Sequence, residues 1–127
     1  QLDLPVGVLV IDYKNQVHDG DFLPDPTCFP DINALQAGVR SAINATTVFS
    51  FWPEVLRNAD EFDILQKEGC LINSDLGGLA IDPTIPKCRD FIWTNFLKPR
   101  YYDKGINAYW LDETDGEGTA GGDGVHG

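Results

Sequence analysis

The chain has 127 residues, 43% hydrophobic and 11% aromatic, enough for one small domain with a core. Its formal net charge is −11, from 20 acidic and nine basic residues. A nucleic-acid backbone or an anionic membrane surface needs the opposite sign, so neither is an expected partner. No apolar run approaches the ~18 residues of a membrane span. Met is absent, and no basic region precedes Gln1-Leu2-Asp3-Leu4, so the chain reads as an excised or processed piece.

Val6-Gly7-Val8-Leu9-Val10-Ile11 is a short, β-branched apolar run and reads as a strand buried on both faces, ending at Asp12-Tyr13. Lys14–Cys28 is rich in Gly, Pro and Asp and reads as a loop. Asp31 is placed as the N-cap of a helix whose apolar face is Ile32, Leu35, Val39 and Ile43, ending near Asn44. Thr46–Trp52 is strongly β-prone and stops at Pro53. Asp60–Lys67 follows as a short helix. Gly69–Asn73 and Leu79–Asp82 flank the turn-rich Ser74–Gly78 and read as a hairpin. Pro86–Tyr102 reads as a helix with Pro at its start and Pro99 in its last turn. Gly105 leads into a third strand, Ile106–Leu111, buried like the first and ending at Asp112. The glycine-rich residues 116–127 read as a loop or tail.

Cys28, Cys70 and Cys88 form no metal-binding pattern, and His18 and His126 lie apart from any cysteine pair, so neither metal nor cofactor is expected. Asn44-Ala45-Thr46 is a glycosylation sequon and points toward an extracellular or secretory-pathway protein. In that setting Cys70 and Cys88 can pair as a disulfide; three free thiols is the alternative, and the sequence leaves it open.

Strand–helix–strand–helix–strand builds an open parallel sheet or part of a closed (β/α)8 barrel. A full barrel takes ~250 residues, so this chain supplies about three of eight units. All three strands end in polar or aromatic residues: Asp12, Trp52-Pro53-Glu54 and Asp112. In parallel α/β folds the chemistry sits at these carboxyl ends. Carboxylates that accept hydroxyl hydrogens and rings that stack on a pyranose suit a sugar site. The same acids also commonly cap the next helix.

Three ordered motifs, and a connection between the last two, resemble glycoside hydrolase family 31, the α-glucosidase and α-xylosidase family. Asp25-Pro26-Thr27-Cys28-Phe29-Pro30-Asp31 resembles the family's D-P-x-x-F-P-D segment. Ser50-Phe51-Trp52-Pro53-Glu54-Val55 resembles its W-P-x-V strand end. Gly105–Asp115 resembles its G-I-D-A-W-W-L-D-A-T-E segment, and Ile81–Phe91 resembles the connection D-x-T-N-P-x-A-R-x-x-W. The resemblance implies an α/β fold: a partial TIM (β/α)8 barrel over residues 1–115, roughly strands 2 to 4 with a small hairpin insertion. It implies a carbohydrate partner, and the remainder of the barrel or a partner chain alongside the open strands. Asp112 falls at the position of the retaining nucleophile, Asp12 at that of an acid bonding the sugar, and Trp110 lines that subsite, while Trp52 sits at its wall or serves in ordinary packing. The family's general acid lies on a later strand, so the 127 residues alone are expected to be inactive. Glu113 departs from the family's Met or Ala and sets a second carboxylate beside the nucleophile position. The alternative is a non-catalytic carbohydrate-binding or structural, filament-forming module derived from this barrel.

Overall fold

The computed structural model describes residues 5–73 and 79–114. The glycine-rich tail and the hairpin tip Ser74–Gly78 lie outside the described residues. Two small sheets organise the rest. The first is parallel: β1 (Val8–Ile11), β2 (Thr46–Phe51) and β6 (Ala108–Leu111), with β2 in the middle. Val10 pairs with Val48, and Ser50 with Trp110. The second is antiparallel, in the order β3 (Glu54–Val55), β5 (Leu79–Ile81), β4 (Leu71–Asn73). The expected hairpin is therefore present as β4 and β5, and the stretch after Pro53 adds a third strand to it.

Right-handed crossovers between successive parallel strands put their helices on one face of the sheet. Helix α1 (Ile32–Ile43) begins where Asp31 Oδ1 accepts from Ala34 N at 2.9 Å, and ends where Asn44, in the left-handed region, donates to Arg40 O. Its buried stripe is Ile32 and Gln36, with Leu35 and Val39 beside them; Ile43, expected on that stripe, is exposed. Helix α2 (Phe62–Lys67) packs Phe62 and Leu65 inward.

The next helical stretch is not one α-helix. α3 (Pro86–Ile92) runs into a π-helical section (Trp93–Leu97) before α4 (Lys98–Arg100) and a 3₁₀ turn (Tyr102–Lys104). Pro99 lacks an N–H and its ring collides with the carbonyl four residues back. Widening the preceding turn removes that conflict, and Lys98 N bonds Trp93 O instead. Gly105, at φ +93°, turns the chain into β6.

Strand alternation explains the burial and corrects the expectation of strands buried on both faces. Phe49, Phe51 and Tyr109 point to the helix layer. Phe49 meets Phe29 and Tyr101 edge-on, and Phe51 meets Tyr101 at 5.0 Å between ring centres. Val8, Val10 and Trp110 share the opposite face, where no helix lies, and all three are exposed. The Gly105–Asp112 segment is likewise not a buried strand: Trp110 and Leu111 both stand open.

Cys70 and Cys88 are joined in a disulfide that ties the start of β4 to α3, with their Cα atoms 5.4 Å apart. Cys28 is free and exposed. Replacing Cys70 and Cys88 with alanine is expected to lower stability by about 2–4 kcal/mol, as closure of a loop of this size implies. Thermal unfolding of the intact protein measures it.

Tyr101 is fully buried, and its hydroxyl has no hydrogen-bond partner among the described residues. Burial pushes its phenol well above the usual range, and pushes that of Tyr109 up to about 12. An unfolded tyrosine loses its proton near pH 10. Below about pH 10 both states keep these protons; above it the fold loses stability, because each phenol ionises more readily unfolded than buried. Tyr101→Phe removes the unpaired hydroxyl. The expected result is a stability at neutral pH unchanged or raised by up to ~1 kcal/mol, with a shallower alkaline loss in unfolding measured against pH.

Candidate active site at the strand ends

The carboxyl ends of β1, β2 and β6 stand side by side and deliver Asp12, Trp52 and Asp112 in that spatial order. Carrying the alternation one residue past each strand puts all three on the face that also holds Val10, Ser50 and Trp110. Asp112 N–H donates to Phe51 O at 2.9 Å, so the ladder continues into this residue and fixes its backbone against β2. Neighbouring strands lie ~4.8 Å apart, which separates the backbones bearing Asp12 and Asp112 by roughly 10 Å, with Trp52 between them.

Asp12 is exposed, and its Oδ1 accepts from Tyr13 N at 2.7 Å. Asp112 and Glu113 are half-buried. Glu113 has a positive φ of 54°, where the chain leaves β6, and Thr114 Oγ1 closes this turn on Leu111 O. Trp110 reaches the helix-free face with 44% of its surface exposed.

Trp52 is held by a partner that sequence reasoning missed. Tyr13 stacks on it with ring centres 4.6 Å apart and planes 23° from parallel. Lys14 Nζ lies 4.4 Å from the Tyr13 ring centre and pairs with Asp19 at 3.3 Å. The Tyr13 contact, and then Asp19 against the effect of burial, raise the Lys14 pKa above its ordinary value. Asn15, buried beneath this group, donates Nδ2 to Ser50 O at 2.8 Å. The only hint in the sequence is the polar, aromatic run directly after a strand.

The remaining motif residues are joints of the frame. Asp25 Oδ1 accepts from Thr27 N, Phe29 N bonds Asp25 O, and Asp31 caps α1. Asp82 is fully buried and its Oδ1 accepts from both Thr84 N and Thr84 Oγ1 just before α3, while Arg89 donates to Pro83 O. Asn44 is exposed at the amino end of β2, the opposite end from the strand exits. A larger apolar cavity of about 460 Å³ lies between the hairpin sheet and α3, walled by Phe51, Ile81, Ile92, Trp93 and Leu111. Its lining reaches the strand exits at Trp52, Glu113 and Thr114. Among the described residues no group of three or more His, Cys, Asp or Glu is placed to hold a metal ion, and no helix is long and apolar enough to cross a membrane.

The family model for the glycosyl hydrolases family 31 TIM-barrel domain matches residues 1–124. Alpha-xylosidase A of Aspergillus niger is 35% identical over 90% of this chain and 17% of its own length. The alpha-xylosidase of Saccharolobus solfataricus is 31% identical over 90% of this chain and 15% of its own length. A GH31 alpha-xylosidase from a soil metagenome, solved with xylose, superposes with a TM-score of 0.81 at 27% identity, over 92% of this chain and 18% of that one. The chain thus spans about a sixth of the length of the relatives it matches.

Proposed function

Because the chain belongs to glycosyl hydrolase family 31, we propose that it forms part of a retaining α-glycosidase acting on α-xylosides or α-glucosides, with Asp112 as nucleophile. One observation carries the reading: two carboxylates and a tryptophan sit at adjacent parallel strand ends, on the face that no helix covers. In this reading the three parallel strands are strands 2 to 4 of the barrel, and the rest of the barrel lies along the open edges of β1 and β6.

The chemistry follows from the spacing. A carboxylate oxygen of Asp112 bonds to the anomeric carbon as the bond to the leaving oxygen breaks. An acid about 5–5.5 Å away protonates that oxygen, and water then releases the sugar. Asp12, roughly 10 Å away along the sheet, is too distant by backbone spacing to be that acid. It suits a sugar hydroxyl instead. Trp110 and Trp52 offer ring surface to the sugar, and the acid comes from outside the described residues. The Aspergillus niger and Saccharolobus solfataricus relatives are both α-xylosidases, which favours a xyloside. Asn44 suits a glycan acceptor, since a glycan there stays clear of the strand exits.

The test is covalent trapping. A 5-fluoroglycosyl fluoride of the α-xylose or α-glucose series should label the intact protein on the peptide bearing Asp112. A label on another carboxylate, or turnover with inversion at the anomeric carbon, refutes the assignment. Binding of sugars without any turnover favours the non-catalytic module.

A further inference from the structure

Beside the aromatic pair at the end of β2 lies a small, partly open pocket. Asn15 and Ser50 are 3% and 2% exposed. Asn15 uses its Nδ2 on the Ser50 carbonyl. Its Oδ1, the Ser50 Oγ and the Trp52 Nε1 are buried and have no hydrogen-bond partner among the described residues. All three residues line one pocket of about 10 Å³, together with Tyr13, Lys14, Gln16 and Asp19.

A cavity of ~10–15 Å³ with two to four polar neighbours suits one water molecule. The donor and acceptor count matches. The indole N–H donates only, the amide oxygen accepts only, and the hydroxyl does either. A water accepts from Trp52 Nε1, donates to Asn15 Oδ1, and completes Ser50 Oγ. We propose that this cavity binds one structural water, and that Asn15 acts through it as a positioning residue for Trp52.

The stack on Tyr13 fixes the tilt of the Trp52 ring. A hydrogen bond at Nε1 fixes its rotation within the ring plane. Together they hold the indole edge in one orientation beside Asp12 and Asp112. The positioning role rests on Trp52 being part of the sugar site; the water does not.

The experiment has three arms on the intact protein. A high-resolution crystal structure should show a water within hydrogen-bond distance of Asn15 Oδ1, Ser50 Oγ and Trp52 Nε1. With 5-fluorotryptophan incorporated, the fluorine resonance that vanishes in Trp52→Phe should shift in Asn15→Leu and in Ser50→Ala. KM for an aryl α-glycoside should rise about tenfold in Asn15→Leu while kcat stays within about twofold. An empty cavity, or a Trp52 resonance unmoved in both variants, overturns the proposal. So does a kinetic loss in Asn15→Leu with that resonance unmoved, because Asn15 then supports the loop and not the ring. Should Asn15→Leu fail to fold, Ser50→Ala removes a single hydroxyl and decides. Should the protein hydrolyse no glycoside, the functional reading fails while the density and the fluorine signal still judge the water.

Discussion

Asp112→Asn in the intact protein is expected to cut kcat for an aryl α-xyloside about ten-thousand-fold or more, the scale of losing a reacting group from a catalytic unit. The amide keeps the shape of the carboxylate and removes its charge and nucleophilicity. The fold should hardly register the change. The bond that seats this residue runs from its backbone N–H to Phe51 O, and the substitution leaves it in place. Thermal unfolding should move by less than about 0.5 kcal/mol, the range of ordinary surface substitutions. A second variant separates chemistry from damage. Asp112→Ala opens space on the attacking side, and added azide should bond to the anomeric carbon there while the aryl oxide leaves. The product is the β-glycosyl azide, of inverted configuration. Activity retained in Asp112→Asn would refute the nucleophile role, and so would an inert Asp112→Ala that is folded yet yields no azide product.

That Asp112, Trp52 and Asp12 end strands was legible in the sequence, because β-branched runs and the breakers after them mark strand ends. That the three meet at one end of a parallel sheet was expected too; that they share one of its two sides was not. It depends on which strands are neighbours and on register, here Ser50 opposite Trp110, and neither is encoded locally. The same holds for burial. An apolar run states that a strand is hydrophobic, not that both faces are covered, and Val8 and Val10 stand open because the helices occupy the other side. The two-residue strand β3 exists only through its partner β5, about 25 positions on. The Lys14–Cys28 stretch reads as loop by composition, yet Asn15, Gln16, Asp19 and Asp21 in it are buried. Their partners explain it: Asn15 bonds Ser50 O, and Asp21 Oδ1 accepts from Asp60 N. Long-range satisfaction of this kind leaves no local periodicity to detect.

Gly20 in that loop is where a single methyl group should do most harm to the fold. Its φ is +98°, a conformation that L side chains rarely adopt. A Cβ there would stand 2.6 Å from Val55 Cγ1 and 2.8 Å from Val55 Cα. Val55 is fully buried in β3, paired with Leu79. It cannot retreat without moving the hairpin sheet. The loop cannot retreat either. Asp19 O accepts from Leu56 N at 2.9 Å, and Asp21 O accepts from Arg100, which also pairs with Glu61. Backbone strain of about 1–2 kcal/mol adds to overpacking of about 1–3 kcal/mol, so Gly20→Ala should cost roughly 2–5 kcal/mol. Gly38, inside α1 with nothing within 4 Å of an added methyl, supplies the contrast: Gly38→Ala should raise stability by about 0.5–1 kcal/mol. Denaturant unfolding of the two variants side by side measures both signs. The site should feel Gly20→Ala as well, because β3 begins two residues after Trp52 and Asn15 belongs to the displaced loop. A Gly20→Ala protein as stable as the parent would mean that the loop does not press on Val55 at all.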